Sequence, residues 1–590
     1  MTELSEMALD PDVAAAPVAT THAHAHARSR AEQWAPLATG LLLALPVLLF
    51  DYPPMSDLPM HEATVGILRH FGDASMFPDG LYFRNLGHPN QLFHAVALLL
   101  SLVMRTETAC KIVVAAAVAG LPVAAARLAA HLGASRWTAV IVAPLALGWL
   151  FFMGLVANLV GLALLLAVLP ALDRFVQRPS AKGALRALGL AVVLYFAHEA
   201  VMFVYAGAAL LFALAYPLRG RDALLRFAVF AGCVALTLAQ LAYQAPLLAR
   251  SLVATPTVWM PLGQKLVGMP GVLFGAYDLM ESRVLFALTT LAVAALGLER
   301  WRARRAGASR ASRAEATGGG GRLGRARALL HAYRFEAFAG SCMLAYLAYP
   351  LTLNGATYVY HRFLPPAFAL GVIALAPRRE ISRTVEPSRR LHALTAFLAL
   401  VLPLASLLIV LPAFAEESQN YRDVRRLSPH VTKGSAVMIL AGTARTHGYV
   451  RATMGNSVVA ERGGRSLFSF SESPIAPVMV RPAARWSEAL SRIIPDNGRL
   501  CPAHDFKRFK YLMFHTNDVQ LEYLMAQSLR PEARLVDVAG EWALFESTLD
   551  VVPLTAHDVR APEPCPGDTL GVRLGKTAAD LRRMTDTEAH

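Results

Sequence analysis

The sequence lacks the common motifs of nucleotide binding, zinc binding and serine hydrolysis. No phosphate-cradling Gly-rich loop, no Cys and His spacing typical of zinc sites and no nucleophile elbow occurs in its 590 residues. These absences argue against a nucleotide-driven pump and against a hydrolase. They leave open the classes of protein that use isolated polar side chains in an apolar scaffold.

Cysteine is scarce, with five residues in the whole chain. Cys110, Cys233 and Cys342 lie within apolar runs, where cysteine behaves as a small, inert hydrophobic residue. Cys501 and Cys565 lie in the polar C-terminal third. A disulfide between them is an option if that third is extracytoplasmic.

Charge is also sparse, because charged residues make up 17% of the chain and hydrophobic residues 55%, with a mean hydropathy of +0.42. Long apolar runs such as residues 34–50, 112–130 and 393–415 approach the roughly 20 residues that span a bilayer. The sequence therefore predicts a polytopic α-helical membrane protein.

The formal net charge of +14 comes from basic residues in short loops between apolar runs, such as residues 218–226 and 376–383. In this position Lys and Arg indicate cytoplasmic loops under the positive-inside rule, and they do not form a nucleic-acid-binding patch. Marking these loops as cytoplasmic predicts about eleven spans, with the N-terminus inside and the C-terminal third outside. The predicted spans are residues 35–50, 109–130, 137–152, 155–172, 186–199, 201–217, 227–248, 284–299, 335–351, 362–377 and 391–414.

The apolar segment 90–104 is not counted as a span, because its apolar core is about twelve residues long and a further crossing would place basic loops outside. We expect it to lie on or dip into the outer leaflet. Residues 51–106 then form one extracytoplasmic loop with two short helices, near 58–71 and 90–104. An outer loop of this length with its own structure is more often functional than passive.

Composition divides the rest of the chain into further segments. We predict a disordered cytoplasmic tail at 1–34, a transmembrane domain at 35–415 with a flexible, Gly-rich basic linker at 300–334, and an extracytoplasmic α/β domain at 416–590. In that last domain, alternating patterns predict strands at 435–440, 533–539 and 542–547, and helices at 485–494 and 517–529.

This layout resembles the GT-C class of polytopic membrane glycosyltransferases between about residues 35 and 415. The segments 84–104 and 106–133 are similar to the second juxtamembrane helix of that class and to the span that follows it. Residues 361–375, HRFLPPAFALGVIAL, resemble its late outer loop. The first loop departs from the class, because it reads DLPMHEA where many members carry an acidic-aromatic pattern.

The resemblance implies a catalytic aspartate in the first outer loop, and Asp51 and Asp57 are the matching positions. A carboxylate at the membrane interface can act as a general base, because partial burial raises its pKa toward the working range. Each has an alternative interpretation. Asp57 precedes an apolar-periodic helix and is a good N-cap, and Asp51 ends the first span.

Three further residues are candidates for substrate binding: His61, His198 and Glu199. His61 lies four residues after Asp57, so both would share one helical face and form a His–carboxylate pair. Glu62 lies on another face and is expected to be solvated. His198 and Glu199 interrupt an apolar run, either at an outer turn or as buried functional residues.

His361 and Arg362 follow the short outer loop 353–360. Interfacial Arg and Tyr residues commonly anchor a span, which is one interpretation. The resemblance implies the other, in which Arg362 faces the lipid phosphate. His88 and Asn90, beside Pro89, are weaker candidates that suit a turn.

Together these features predict an integral inner-membrane enzyme of the cell envelope. It would transfer a sugar, with inversion, from a polyprenyl-phosphate donor to a glycan, lipid or protein acceptor outside the cytoplasm. A divalent metal is an option, whereas a nucleotide cofactor and a nucleic-acid partner are not expected. The alternative is a non-catalytic polytopic protein, a transporter or an envelope-assembly factor, with the same architecture.

Overall fold

The computed structural model describes residues 30–251, 257–275, 279–311, 322–353, 356–377, 389–441, 448–467, 469–484, 499–555 and 569–588. Most of the predicted tail at 1–34, the predicted helix at 485–494 and Cys565 lie outside these ranges. The pairing of Cys501 with Cys565 therefore stays a prediction. Cys110, Cys233 and Cys342 are free and buried.

The first 427 residues are almost entirely helical where they are described. The helices are α1 Arg30–Leu49, α2 Leu58–Arg69, α3 Leu92–Ser101, α4 Thr106–His131, α5 Trp137–Val142, α6 Trp149–Phe152, α7 Val156–Gln177, α8 Ala181–Ala197, α9 Glu199–Leu214, α10 Gly220–Ser251, α11 Leu262–Phe274, α12 Leu279–Ala311, α13 Arg322–Ala332, α14 Arg334–Ala348, α15 Leu364–Leu375 and α16 Arg389–Leu427. Short strands β1 Tyr82–Arg84, β2 Thr352–Leu353 and β3 Ala356–Thr357 lie between them.

Six of the described helices are long and apolar enough to cross a membrane: α1, α4, α7, α10, α12 and α16. Each of the eleven segments predicted as a span is helical for most of its length, but five of these segments are shorter or broken. The count of eleven and the orientation therefore stay predictions. One large hydrophobic core joins these helices, with α4 packed between α1 and α7.

The segment 137–152 differs from the single span that was predicted. It divides into α5, a 3₁₀ turn at Ala143–Leu147 and the short α6. Pro144 lies in the 3₁₀ turn, and Gly148 after it is extended, with a φ of −86° and a ψ of −158°. A proline removes a backbone donor and crowds the preceding turn, which ends the regular helix there.

The linker predicted at 300–334 is helical where the structure describes it. Helix α12 continues to Ala311, and α13 covers Arg322–Ala332. These described residues are helical, and the flexible linker stays a prediction. Arginine and alanine dominate both stretches, and both have high helix propensity, whereas the glycines that motivated the prediction, residues 318–321, lie outside the described ranges.

The C-terminal third contains a five-stranded mixed sheet. Its strands are β4 Ala436–Ala441, β5 Arg465–Ser466, β7 Tyr511–His515, β8 Ala533–Ala539 and β9 Trp542–Ser547, in the order β5-β4-β7-β9-β8. Strand β4 runs parallel to β5 and β7, and β9 runs antiparallel to β7 and β8. Helices α17 Gly448–Met454, α18 Asn456–Arg462, α19 Pro502–Asp505, α20 Val519–Ser528 and α21 Leu570–Glu588 complete this part, with β6 at Val478–Val480.

The first outer loop is tied to this C-terminal part by hydrogen bonds. Strand β1 pairs antiparallel with β6, and the Asn85 side chain donates to the carbonyls of Pro474 and Ala476. At the start of the loop, the Ser418 hydroxyl of α16 accepts from the Tyr52 N–H at 3.0 Å. These contacts hold α2 between the apolar helices and the C-terminal third.

Candidate active site

Helix α2 begins directly after Asp57, but Asp57 does not cap it. The residue occupies the N-cap position with a helical φ of −90° and ψ of −6°, and its side chain makes no capping hydrogen bond. Pro59 in the first turn favours the helix start without a cap. The capping interpretation of Asp57 is therefore wrong, and its carboxyl group is available for other interactions.

The backbone before α2 is fixed on the turn between α6 and α7. The Ser56 N–H donates to the Phe152 carbonyl at 2.9 Å, and the Asp57 N–H donates to the Met153 carbonyl at 3.3 Å. Gly154 closes this turn with a φ of +72°. A Cβ at Gly154 would lie 2.3 Å from the Asp57 nitrogen, so only glycine allows this approach.

Arg362 lies in a 3₁₀ turn, Tyr360–Phe363, directly before α15. Its Nη2 donates to the Thr357 carbonyl at 3.3 Å, and its Nε is buried without a hydrogen-bond partner among the described residues. Pro365 and Pro366 in the first turn of α15 restrict the backbone that follows. The guanidinium group thus keeps several unused donors.

Glu199 and His198 begin α9, where a helix start interrupts the apolar run. The His198 Nδ1 accepts from the Ala200 N–H at 3.1 Å, so His198 caps the helix. The Glu199 N–H donates to the Asn90 side-chain oxygen at 3.0 Å. Asn90 has a φ of +66°, which asparagine tolerates in turns, in agreement with the prediction of a turn residue there.

The charge of Arg362 acts on residues at the starts of both α2 and α9. Its guanidinium interacts electrostatically with Asp57 from α2 and with Glu199 and His198 from α9. No direct ion pair links Arg362 to either carboxylate among the described residues. The fold therefore gathers two carboxyl groups and one guanidinium without letting them neutralise one another in direct contact.

Asp57 itself has an unusual proton affinity. Burial raises its pKa from 3.8 to about 7, although the Arg362 charge opposes this shift. Desolvation penalises the carboxylate form more than the nearby guanidinium stabilises it. At neutral pH the carboxyl group is consequently divided between acid and base forms, as a general base requires.

His61 has a different partner from the one predicted. Its Nδ1 lies 2.9 Å from the Nε2 of His94, and its ring contacts Phe93 and Phe470. Burial lowers the pKa of His61 well below its usual value, so the ring is neutral. His61 is therefore paired with His94 on α3, and the predicted pair with Asp57 is not formed.

His361 stacks on Trp149 of α6, with ring centroids 4.7 Å apart and an interplanar angle of 20°. Beside it lies Lys265, which the sequence reasoning missed. The Lys265 ammonium is buried and donates to the Leu347 and Tyr349 carbonyls at 2.7 and 2.6 Å. A lone lysine inside an apolar stretch was the signal for it.

Asp51 lies in a different environment. Its Oδ2 accepts from Arg422 of α16 at 2.6 Å, and both side chains are 52% exposed. Six residues along the chain, Asp57 is partly buried and lies near Arg362. The structure therefore brings Asp57, Glu199, His198, His361 and Arg362 together through the charge of Arg362, and leaves Asp51 on the surface.

The prediction that Glu62 is solvated is wrong, because this residue is 1% exposed. Its face of α2 is covered by α4, α16 and α18, which the sequence pattern did not reveal. Among the described residues there is also no group of three or more His, Cys, Asp or Glu side chains arranged to hold a metal ion.

Comparisons with known proteins found matches among solved structures. No protein-family model and no curated protein matches the chain. A crystal structure of ArnT from Cupriavidus metallidurans bound to undecaprenyl phosphate is 11% identical, with a TM-score of 0.46, covering 89% of this chain and 98% of ArnT. The archaeal oligosaccharyltransferase AglB from Archaeoglobus fulgidus, in complex with an inhibitory peptide and a dolichol-phosphate, is 10% identical, with a TM-score of 0.42, covering 92% and 78%.

The chain thus resembles solved GT-C membrane glycosyltransferases, as its sequence layout predicted. At about 11% identity and with TM-scores below 0.5, this likeness supplies no argument about activity or about any residue.

Proposed function

We propose that this protein is an inverting membrane glycosyltransferase that takes a sugar from a polyprenyl-phosphate donor. The single observation that carries the proposal is the convergence of Asp57, whose pKa is about 7, with the uncommitted guanidinium of Arg362. A base and an anion-binding cation near each other, without a direct ion pair, suit a reaction in which an acceptor loses a proton and a phosphate departs.

The proposed reaction is a single displacement at the anomeric carbon. The acceptor atom gives its proton to the Asp57 carboxylate and forms a bond to the anomeric carbon. The bond from that carbon to the phosphate oxygen breaks, and its electron pair leaves with the polyprenyl phosphate. One displacement inverts the configuration at this carbon.

Negative charge grows on the departing phosphate during this step. Arg362 is placed to stabilise that charge, because its Nε and part of its guanidinium lack partners among the described residues and planar guanidinium groups bind phosphate oxygens well. Preorganised charge in a site with little water is worth more than the same charge in solvent. Lys265, near His361, would add positive charge around the phosphate, and His361, which burial keeps neutral, would offer a hydrogen bond.

The other candidates receive binding roles in this proposal. Glu199 and His198 would contact the sugar or the acceptor, since both interact with the same guanidinium. His61 would line the site as a neutral group. The loop at residues 470–472 covers His61, so the C-terminal third would limit water access above the reacting atoms.

The orientation proposed from the basic loops completes this account. The N-terminus would be cytoplasmic, and the first outer loop and the C-terminal third would face the extracytoplasmic side of the inner membrane. The donor would then approach from the outer leaflet, and the acceptor would be a glycan, a lipid or a protein.

The decisive experiment compares Asp57→Asn with Asp51→Asn in cells and in purified protein, with analysis of lipid-linked sugars and of glycosylated products. We expect Asp57→Asn to lower transfer by about 10²–10⁴-fold, as loss of a general base does. Asp51→Asn is the matched control, because it removes a carboxylate of the same loop that is already paired with Arg422. It should retain nearly full transfer.

Normal transfer by Asp57→Asn with normal expression would overturn Asp57 as the base. Loss of transfer in Asp51→Asn alone would move the role to Asp51. No change in any glycan or lipid-linked sugar when the whole protein is removed would favour the non-catalytic alternative.

A further inference from the structure

A pocket lies on the other side of α2 from the candidate active site. It has a volume of about 440 Å³ and lies between α2, the start of α4, the end of α16 and α18. Glu62 lines it, and Asp57 does not. Five residues along a helix correspond to a rotation of about 140°, so these two carboxyl groups face in different directions.

An unpartnered polar atom lies at the wall of this pocket. Glu62 is 1% exposed, and its Oε1 has no hydrogen-bond partner among the described residues. Burial, together with the charge of Glu107, raises the pKa of Glu62 well above its usual range. This shift favours the protonated form, which can both donate and accept a hydrogen bond.

The rim of the pocket is basic. Arg69, Arg105 and Arg425 line it, against the carboxylates of Glu107 and Glu461. Glu107 is already engaged by Arg105 at 3.2 Å and by the Tyr421 hydroxyl at 2.7 Å. Arg69 donates one hydrogen bond to the Met104 carbonyl, and it forms no ion pair with a carboxylate among the described residues.

The start of α4 adds further donors for an anion. This helix of 26 residues begins at Thr106, inside the pocket, and has no side-chain cap. Uncapped N–H groups at a helix N-terminus bind anions, and the helix dipole adds to the attraction. An anion between Arg69 and the helix start would meet these donors, while Glu107, in the first turn of α4, is paired with Arg105 and the Tyr421 hydroxyl.

We propose that this pocket binds a small saccharide that carries one anionic group, a carboxylate or a phosphate. The anion would lie between Arg69 and the start of α4, and a ligand hydroxyl would hydrogen-bond with the carboxyl group of Glu62. The walls contributed by Val424, Val458 and the Tyr421 ring suit the apolar face of a sugar. This site goes beyond the proposed transfer reaction and does not depend on it.

Binding to the purified full-length protein in detergent tests the proposal, with calorimetry and four probes: glucuronate, glucose 6-phosphate, glucose and inorganic phosphate. We expect glucuronate or glucose 6-phosphate to bind at least about tenfold more tightly than glucose, since a hydrogen-bonded charge is worth about that factor. The same ligand should bind more tightly than inorganic phosphate. The comparison of glucuronate with glucose 6-phosphate distinguishes recognition of a carboxylate from recognition of a phosphate.

Variants then assign the binding to this pocket. Arg69→Ala should weaken binding of the anionic sugar by about tenfold. Arg534 lies on strand β8 and is 72% exposed, so Arg534→Ala should leave this binding unchanged. Glu62→Gln keeps a neutral hydrogen-bonding group and should bind within about threefold of the wild type. Glu62→Leu should lose binding, with its folding checked by thermal unfolding.

Equal affinity for glucose and for both sugar acids would overturn the anionic assignment, and equal affinity for inorganic phosphate would overturn the saccharide. Absence of binding by all four probes would overturn the site. Asp57→Asn should bind the sugar acid normally. Its transfer activity is a separate measurement, so failure of the proposed transferase and failure of this pocket give different results.

Discussion

Asp51 and Asp57 lie six residues apart in the same outer loop, yet their surroundings share little. Asp51 is half exposed and accepts a hydrogen bond from Arg422 at 2.6 Å. Asp57 is partly buried, makes no capping hydrogen bond, and lies near Arg362 without a direct ion pair. The first aspartate is a carboxylate in an exposed ion pair, and the second has a pKa of about 7.

The difference shows that the chemistry of a carboxylate depends on what the fold places around it. An exposed pair such as Asp51–Arg422 is screened by water and contributes little to stability. A partly buried carboxylate with its counter-charge at a distance keeps a high proton affinity, which a base requires. Four predictions test this contrast, in order of decreasing effect.

The two arginines should differ most. Arg362→Gln removes the charge beside Asp57 and should lower transfer by about 10²–10³-fold, because the departing phosphate loses its main stabilising group. Arg422→Gln removes the partner of Asp51 and should lower it by less than about twofold. Steady-state transfer assays on both variants check this. Equal losses would remove the contrast between the two aspartates.

Replacing Gly154 should lower transfer because it would displace Asp57. Gly154→Ala would place a Cβ 2.3 Å from the Asp57 nitrogen, and it should lower transfer by about 10²-fold, as small displacements of a catalytic group do. Gly133→Ala is a matched control. Its φ of +71° is nearly the same, but nothing lies within 4 Å of the added Cβ.

Both variants should be destabilised by backbone strain at positive φ, and Gly154→Ala more strongly, because its Cβ also clashes with the Asp57 backbone; thermal unfolding would show both effects. Only Gly154→Ala should lose transfer beyond that. If Gly133→Ala loses as much, the loss reflects strain and not the position of Asp57.

The pH dependence of transfer should report the pKa of Asp57. A base works as the carboxylate, so kcat/KM should rise with pH and level off above about 7, because burial raises the pKa of Asp57 to about 7. Below that value it should fall about tenfold for each pH unit. The residual activity of Asp57→Asn should lack this limb. A profile that is flat from pH 5 upward would contradict the assignment.

The smallest effect should come from the exposed pair. Asp51→Asn and Arg422→Gln should each change the free energy of unfolding by less than about 1 kcal/mol, and the change should shrink in high salt. Denaturant titration in detergent at low and high salt measures this. A loss of several kcal/mol would mean that the pair anchors α1 to α16.

Much of the helical framework was predictable, because long apolar runs bury themselves as helices whatever their partners are. Strands β8 and β9 also match their predicted limits, since alternating residues flank a turn at Gly540. The break at 143–148 was missed, because a proline in an apolar run is compatible with a kinked span or with a broken one. The order of the five strands requires contacts distant in sequence and was not predicted.

For the candidate site, the sequence determined which side chains lie beside helix ends: Asp51 follows the end of α1, and Asp57, Glu199 and Arg362 lie at helix starts. Only the tertiary structure decided which of them meet, since residues 57, 199 and 362 come from three separate helix starts. It also decided that Glu62 is buried, that His61 pairs with His94, and that Lys265 lies beside His361. Local pattern follows from neighbours along the chain, whereas burial, pKa and pairing depend on atoms that other elements bring near.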